Sequence, residues 1–367
     1  MKKFHAPFCR CWNLTNHASG PWCIYGDCLH KMKCLDLFSG IGGMGRLLPI
    51  NTIMYCEWDA FPRSVLQRRM KQGDLNNVPI HDDVRTLDPP DHDILIGGFP
   101  CQDISSAGKR LGFAGKKSCL YYEILRIIKK KHPPLVFLEN VAHILVMPGV
   151  WKAVLTTLSQ EGYDMAWGIF SANMCGAFHQ RNRWFILAKR AREPNNNVPS
   201  MPDKMHKYGT CINAVYEEVP DPRFPRTRHP PITMRHIEGA PFNGKLHDKP
   251  IVRTLWSTPR ATGGNRAIRN MSKRSMSDLP SMLRFADCTQ HKHFQANLNW
   301  VEQLMGLPAG WTDPEGDAEP FEGFEEQYQR MKPDKTQPLY YKRWKTLGNM
   351  CVSQTSLMAY KYLHKKV

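Results

Sequence analysis

Several things are missing from this chain of 367 residues, and each absence removes a class of protein. No apolar run approaches the ~18 residues that a membrane-spanning helix needs, and no signal-peptide hydrophobic region opens the N-terminus. The expectation is an intracellular protein that does not engage a membrane. No internal repeat recurs, which excludes solenoids and propellers. Acidic residues are also short: 33 Asp and Glu stand against 50 Lys and Arg, a formal charge of +17. Such an excess suits a polyanionic partner, nucleic acid first, although a basic protein kept soluble by its charge fits equally well. Local clusters lie at Lys129–Lys131 and from Arg266 to Arg284.

What is present is an alternation. "KCLDLF" and "NTIMYC" read as strands, followed by a helix from about Ala60 to Met70. "HDILIG" is a strand, Leu120–Lys131 a helix, "PLVFLE" a strand, and Val150 to Gln160 a helix. "MAWGIFSA" and "RWFILAKR" are two further β-type runs. Apolar strands alternating with helices predict an α/β fold with a mostly parallel sheet, doubly wound and covered on both faces. The pattern dissolves after Arg190 into a stretch rich in Pro, Asn, Arg, Gly and His. It resumes at "NLNWVEQLMGL" and again from Met350 to His364. The division expected is a Cys/His-rich segment over 1–32, a catalytic domain over 33–190, an inserted small domain over 191–293, and a segment over 294–367 that completes the catalytic domain.

Three stretches carry candidate chemistry. "CLDLFSGIGGMG" ends a strand in a glycine-rich turn ahead of a helix N-terminus, where doubly wound sheets bind nucleotides. Its spacing is not that of the dinucleotide fingerprint, and alone it is also an ordinary tight turn. Glu57 after the next strand and Asp83 after a third turn the reading toward an adenosine-type cofactor. Next, "GGFPCQ" places Cys101 at a strand exit, stiffened by Pro100. A thiolate there is a potential nucleophile, whereas a bland buried thiol is the alternative. Finally, "LVFLENV" ends in Glu139, and "HQRNRWFILA" puts Arg181 and Arg183 on one face of a strand at period two. A buried Glu there would have a raised pKa and could donate a proton or hydrogen bond, and an Arg could clamp a base. A capping acid and an exposed strand edge are the alternatives.

"DLFSGIGGMG", "EWD", "PDHDILIGGFPCQDIS", "FLENV", "HQRNRWFILA" and "LGNMCVSQ", in this order, resemble the C5-cytosine DNA methyltransferases of phage, virus or bacterial modification type. The likeness covers Lys33 to about Lys189 and the segment from about Asn297 onward, where "WVEQLMGLPAGWT" resembles a variant ninth motif. It implies a Rossmann-like S-adenosylmethionine-dependent methyltransferase fold with an inserted target-recognition domain. It also implies a monomer on double-stranded DNA. Cys101 would add to C6 of a flipped-out cytosine, and Glu139 would hold N3 and the exocyclic amine. Arg183 would contact O2, with Arg181 beside the nucleophile. Phe38 would lie against the adenine of S-adenosylmethionine, Glu57 on the ribose and Asp83 on the adenine amine. Ser39, Gly40, Gly42, Gly43, Trp58, Val84, Pro100, Leu120, Asn349 and Met350 complete the implied cofactor set. The loop from Ser105 to Gly115 would close over the extruded base, with Lys109 and Arg110 on phosphates.

Two departures stand out: His179-Gln180-Arg181 displaces the family's Gln, and Met350-Cys351 replaces small or β-branched residues. The tRNA-modifying branch carries a Cys-Phe-Thr signature absent here. A non-catalytic DNA-binding relative would have lost the nucleophile or Glu139. In this family the insert, about Arg192 to His293, reads the DNA sequence. "TGGNRAIRNMSKR" and Thr254-Leu255 are its candidates for phosphate and base contact. In the N-terminal segment Cys9, Cys11, Cys23 and Cys28 offer four thiolates for a tetrahedral Zn, with His17, His30 and Cys34 nearby. Free thiols in a short cap are the alternative.

Overall fold

The computed structural model describes residues 32–100, 120–146, 150–177, 179–191, 259, 295–296, 298–313, 328–329 and 338–367. Cys101, the loop from Ser105 to Gly115, Thr254-Leu255 and the Cys9, Cys11, Cys23, Cys28 set lie outside the described residues, as does the insert apart from Pro259.

Seven strands form one sheet: β1 (Met32–Leu37), β2 (Ile50–Cys56), β3 (Ile80–His81), β4 (Ile94–Gly98), β5 (Leu135–Val141), β6 (Tyr163–Ser171) and β7 (Asn182–Arg190). Their order is β3-β2-β1-β4-β5-β7-β6. The first five run parallel; β7 lies antiparallel to both β5 and β6. The expected mostly parallel α/β sheet is what forms.

Period-two alternation sorts the strands' side chains onto two faces. Leu35, Leu37, Leu95, Val136 and Leu138 join one cluster beneath α2 (Leu120–Lys131) and α3 (Val150–Gln160). Cys34, Ile94, Ile96, Leu135 and Phe137 join a second with Leu357, Tyr360 and Leu363 of α6 (Ser353–His364). Cys34 is fully buried, and burial pushes its thiol well up. It is a core residue of the sheet.

Helix α1 (Ala60–Lys71) begins where Asp59, its N-cap, accepts a hydrogen bond from the Phe61 amide at 3.1 Å. The expected helix after the glycine-rich turn is absent: residues 39–49 cross from β1 to β2 through turns and bends. That stretch holds four glycines and Pro49, all poor helix formers. The Lys129–Lys131 cluster is paired rather than presented to a polyanion. The three ammonium groups lie 3.3, 2.8 and 3.1 Å from Glu161, Asp88 and Asp91.

The C-terminal part adds α4 (Leu298–Leu304), α5 (Pro338–Asn349), α6 and a two-stranded ribbon of β8 (Gln295–Ala296) and β9 (Tyr328–Gln329). Among the described residues no helix is long and apolar enough to cross a membrane.

Candidate active site

The chain leaves β1 toward β2 on one side and returns as β4 on the other, so the strand order reverses there. Ligands of open α/β sheets bind outside the carboxyl ends of the strands at such a point. At that end of β1, Phe38 takes φ +53°, uncommon for a residue with a β-carbon and a mark of local strain. The glycine-rich turn follows. Ser39 anchors it: its amide donates to the Cys56 carbonyl at 3.1 Å and its hydroxyl to the Asp36 carbonyl at 2.7 Å. At Gly43 a β-carbon would stand 2.7 Å from the Cys351 carbonyl oxygen, so no other residue fits without moving the backbone.

Glu57 follows β2. Its two carboxylate oxygens each accept a backbone amide, from Gly40 and from Asp59, both at 2.8 Å. Burial pushes its pKa up while these amides pull it down. The carboxylate is thus fixed, with lone pairs left for hydroxyl donors. Asp83 sits beyond β3, paired with Arg85, which holds its carboxyl below the usual range. The Arg85 guanidinium also lies 5.1 Å above the ring of Trp58, which is 67% exposed. Phe38 and Leu120 pack at the rim of the cluster that contains Val84. The donor set fits an adenosine-type cofactor: a fixed carboxylate, a second acid, and apolar walls from three elements.

One group is left over. Asp36 shares Cys34's face, is buried, and neither carboxylate oxygen has a hydrogen-bond partner. Burial, the largest cause, raises its pKa to about 8, so it is a neutral acid below that pH.

The second half of the site is built on β4, β5 and β7. Gly98 pairs with Glu139 across the β4–β5 ladder. A β-carbon on Gly98 would lie 2.9 Å from the Glu139 Oε2, so the glycine makes room for the carboxyl. Glu139 Oε1 is 2.8 Å from Arg183 Nε. Burial raises the Glu139 pKa, and the charges of Arg183 and Arg181 oppose it. Asn140, next along the strand, donates from Nδ2 to the Phe99 carbonyl at 3.3 Å and so ties β5 to the segment leading into Pro100.

Arg181 makes its hydrogen bonds elsewhere, and its Nε is buried without a partner. Its guanidinium is buried and donates to the carbonyls of Gly348 and Met350, each at 2.8 Å, and of Pro259 at 3.2 Å. It bolts the ends of two distant segments to the start of β7. His179, two residues earlier, is fully buried, and neither ring nitrogen has a hydrogen-bond partner. Burial and the two arginines lower its pKa to about 3, so the imidazole is neutral. Asn349 is exposed between its two clamped neighbours, while Met350 packs toward Gly43.

The glycine turn is buttressed from far along the chain. Trp311 Nε1 donates to the Ile41 carbonyl at 3.2 Å, and its ring lies between the guanidinium groups of Arg46 and Arg69, 4.9 and 5.0 Å away. Arg69 in turn donates to the carbonyls of Trp311 and Gly310. Buried Glu302 accepts from the Trp311 and Thr312 amides, the Thr312 hydroxyl and Arg343. The roles of Trp311, Arg69, Asn140 and Gly98 were not foreseen from the sequence. The Gly97-Gly98 pair before "FPCQ" and an Asn after Glu139 were the only local signals.

Among the described residues no group of three or more His, Cys, Asp or Glu is placed to hold a metal. The structure thus brings together Glu139 with Arg183, and separately Phe38, Ser39, Gly40 and Glu57, whereas Arg181 serves the C-terminal segment.

Comparison with known proteins agrees with this architecture. The chain is 33% identical over 201 residues to the Type II methyltransferase M1.ScrFI of Lactococcus lactis subsp. cremoris, covering 51% of this chain and 50% of that protein. It is 34% identical over 186 residues to M.NgoBI of Neisseria gonorrhoeae (48% and 55%). To M.CviJI of Paramecium bursaria Chlorella virus IL3A it is 32% identical over 211 residues (52% and 57%). The chain therefore spans about half the length of the curated relatives it matches. Among solved structures, S. pombe Dnmt2 methyltransferase shares the fold with a TM-score of 0.51 at 16% identity, over 90% of this chain and 97% of that one. The Entamoeba histolytica methyltransferase EhMeth gives 0.52 at 12% identity, over 92% and 99%. The model of the C-5 cytosine-specific DNA methylases matches residues 32–296, and with the sheet, the glycine turn and the Glu139–Arg183 pair already in place, the chain belongs to that family.

Proposed function

We propose that the protein methylates C5 of cytosine in duplex DNA, using S-adenosylmethionine. The observation that carries this reading is the Glu139–Arg183 ion pair of 2.8 Å toward the carboxyl end of β5. It stands beside Gly98 and the Phe99-Pro100 exit that leads into Cys101. A carboxyl with a raised pKa can protonate or hydrogen-bond N3 of a pyrimidine, and the guanidinium beside it can hold O2.

The target base must leave the duplex to reach these groups, at a cost of a few (~2–4) kcal/mol. The Cys101 thiolate then forms a bond to C6, and the ring's electrons move toward N3. Glu139 supplies the proton there, so the ring becomes an enamine that is nucleophilic at C5. Phe38, Glu57, Asp83 and Leu120 would hold the cofactor beside it. When bound, S-adenosylmethionine supplies an electrophilic methyl on a sulfonium whose departure leaves a neutral thioether. Loss of the C5 proton then breaks the C6–S bond and regenerates Cys101. This is covalent catalysis: one hard substitution becomes two easier steps. The reaction places the protein wherever its target DNA lies.

The test incubates the protein with methyl-labelled S-adenosylmethionine, duplex DNA and tRNA. Label on DNA cytosine is the expected result, and label on tRNA alone would reverse the substrate. Cys101→Ser should abolish transfer and the adduct with 5-fluorocytosine DNA while cofactor binding persists. An adduct surviving that change would put the nucleophile elsewhere.

A further inference from the structure

Arg85 belongs to none of the motifs above, yet it grips two residues of the implied cofactor set at once. Its Nε lies 2.9 and 3.0 Å from the two carboxylate oxygens of Asp83, and its Nη2 lies 2.7 Å from Oδ2. Its own amide donates to Asp83 Oδ1 at 3.0 Å. The same guanidinium covers the face of Trp58 at 5.1 Å. An isolated surface ion pair contributes little to stability, so this arrangement needs another account.

Counting lone pairs supplies one. A carboxylate offers about four acceptor directions, two per oxygen. The Arg85 amide and Nε engage Oδ1, while Nε and Nη2 approach Oδ2. Nε is one donor shared between the two oxygens, so three donors take about three of the four directions and leave one for an N–H donor. A site with one buried or fixed acceptor discriminates strongly between a donor and an acceptor on the ligand, because a mismatched ligand leaves the site's group unpaired. The stack on Trp58 holds that ring at a fixed place, and Arg suits both tasks through its planar fork.

We propose that Arg85 is a specificity-determining positioning residue: it locks Asp83 and Trp58 together so that the one remaining acceptor of Asp83 selects a 6-amino purine over a 6-oxo purine. The proposal rests on the adenosine-type cofactor reading of the site. Arg85 itself touches neither the methyl group nor the target base in this scheme. It acts through Asp83, and its loss should alter which nucleoside binds rather than whether the protein folds.

The test is direct binding, by titration calorimetry, of S-adenosylhomocysteine and its deaminated analogue S-inosylhomocysteine. The full chain is compared with its Arg85→Ala and Arg85→Lys variants. The unsubstituted protein should prefer the adenosine ligand by about tenfold or more, the equivalent of one hydrogen bond. In Arg85→Ala the preference should shrink to about threefold or less, through weaker binding of the adenosine ligand, with the inosine ligand nearly unaffected. Arg85→Lys restores the charge without the fork and should recover little of the ratio. An equal loss for both ligands, an unchanged ratio in Arg85→Ala, or full recovery by Lys would each overturn the proposal. Binding of neither nucleoside by the unsubstituted protein would instead overturn the cofactor reading on which it rests.

Discussion

Glu57 and Glu139 stand at the carboxyl ends of neighbouring parts of one sheet, and both have pKa values raised by burial. They are held in opposite ways. Glu57 is fixed by two backbone amides, which cannot leave without unravelling the glycine turn. Glu139 is held by a side chain, the Arg183 guanidinium, which can change rotamer without disturbing the backbone. The difference teaches which half is preformed. In the proposed reaction, the half around Glu57 presents a rigid acceptor to a ligand that does not react at that end. The base half keeps a carboxyl whose proton and partners can change as a ring changes its bonding. Preorganisation by backbone suits binding, and a movable ion pair suits chemistry.

Four substitutions sharpen or break this comparison. Glu139→Gln should lower kcat by about a thousandfold, within the range for loss of one key acid or donor, and leave S-adenosylhomocysteine affinity within about twofold. Single-turnover assays on duplex DNA beside calorimetry decide this, and an equal loss in both would erase the distinction between the halves. Arg181→Leu should destabilise the fold by roughly 3 kcal/mol, because two buried carbonyls and a half-buried one lose their donor at once. Denaturant unfolding checks it; wild-type stability would show that the bolt between the C-terminal segment and β7 contributes nothing.

Glu57→Gln should weaken S-adenosylhomocysteine binding about tenfold or more while kcat at saturating cofactor changes far less. A kcat effect larger than the affinity effect would contradict a purely binding role. The last prediction concerns Asp36. Its pKa of about 8 in the folded protein exceeds the ordinary unfolded value near ~3.9, so the native state binds more protons between those limits. Stability is then full at the acid end of that window and falls as pH rises toward 8, by up to about 1.4 kcal/mol per pH unit. Melting curves from pH 5 to 8 should show the decline, and Asp36→Asn should flatten it. A wild-type midpoint that climbs across the window would mean Asp36 finds a cationic partner.

Much of the sheet was legible because its strands are short apolar runs with clear punctuation. The Leu120–Lys131 helix coincides with its expected bounds because Tyr121, Ile124, Leu125 and Ile128 recur at helical spacing above a polar face. Helix α5 was missed: "PLYYKRWKTLGN" mixes aromatic and basic residues without a clean stripe, and its Pro at the first position is the main start signal. The helix expected after the glycine turn failed because loop-forming residues outweigh the resemblance to nucleotide-binding folds. Glu139 and Glu57 could be read from strand ends, since the parallel fold sends those ends to one crevice. Arg181 could not be assigned from its strand. Its alternation with Arg183 put both on one face, but which carbonyls lie within reach depends on residues 78 to 169 positions away.

The bond from Trp311 to Ile41 joins residues 270 positions apart. During synthesis the glycine turn therefore leaves the ribosome long before the residue that steadies it has been made. At the 5–20 residues per second typical of translation, that interval is roughly 15–50 s. Through it, the nascent chain carries the nucleotide-binding strands without their support, and a chain cut short before Trp311 keeps the glycine turn but not the bracket that steadies it.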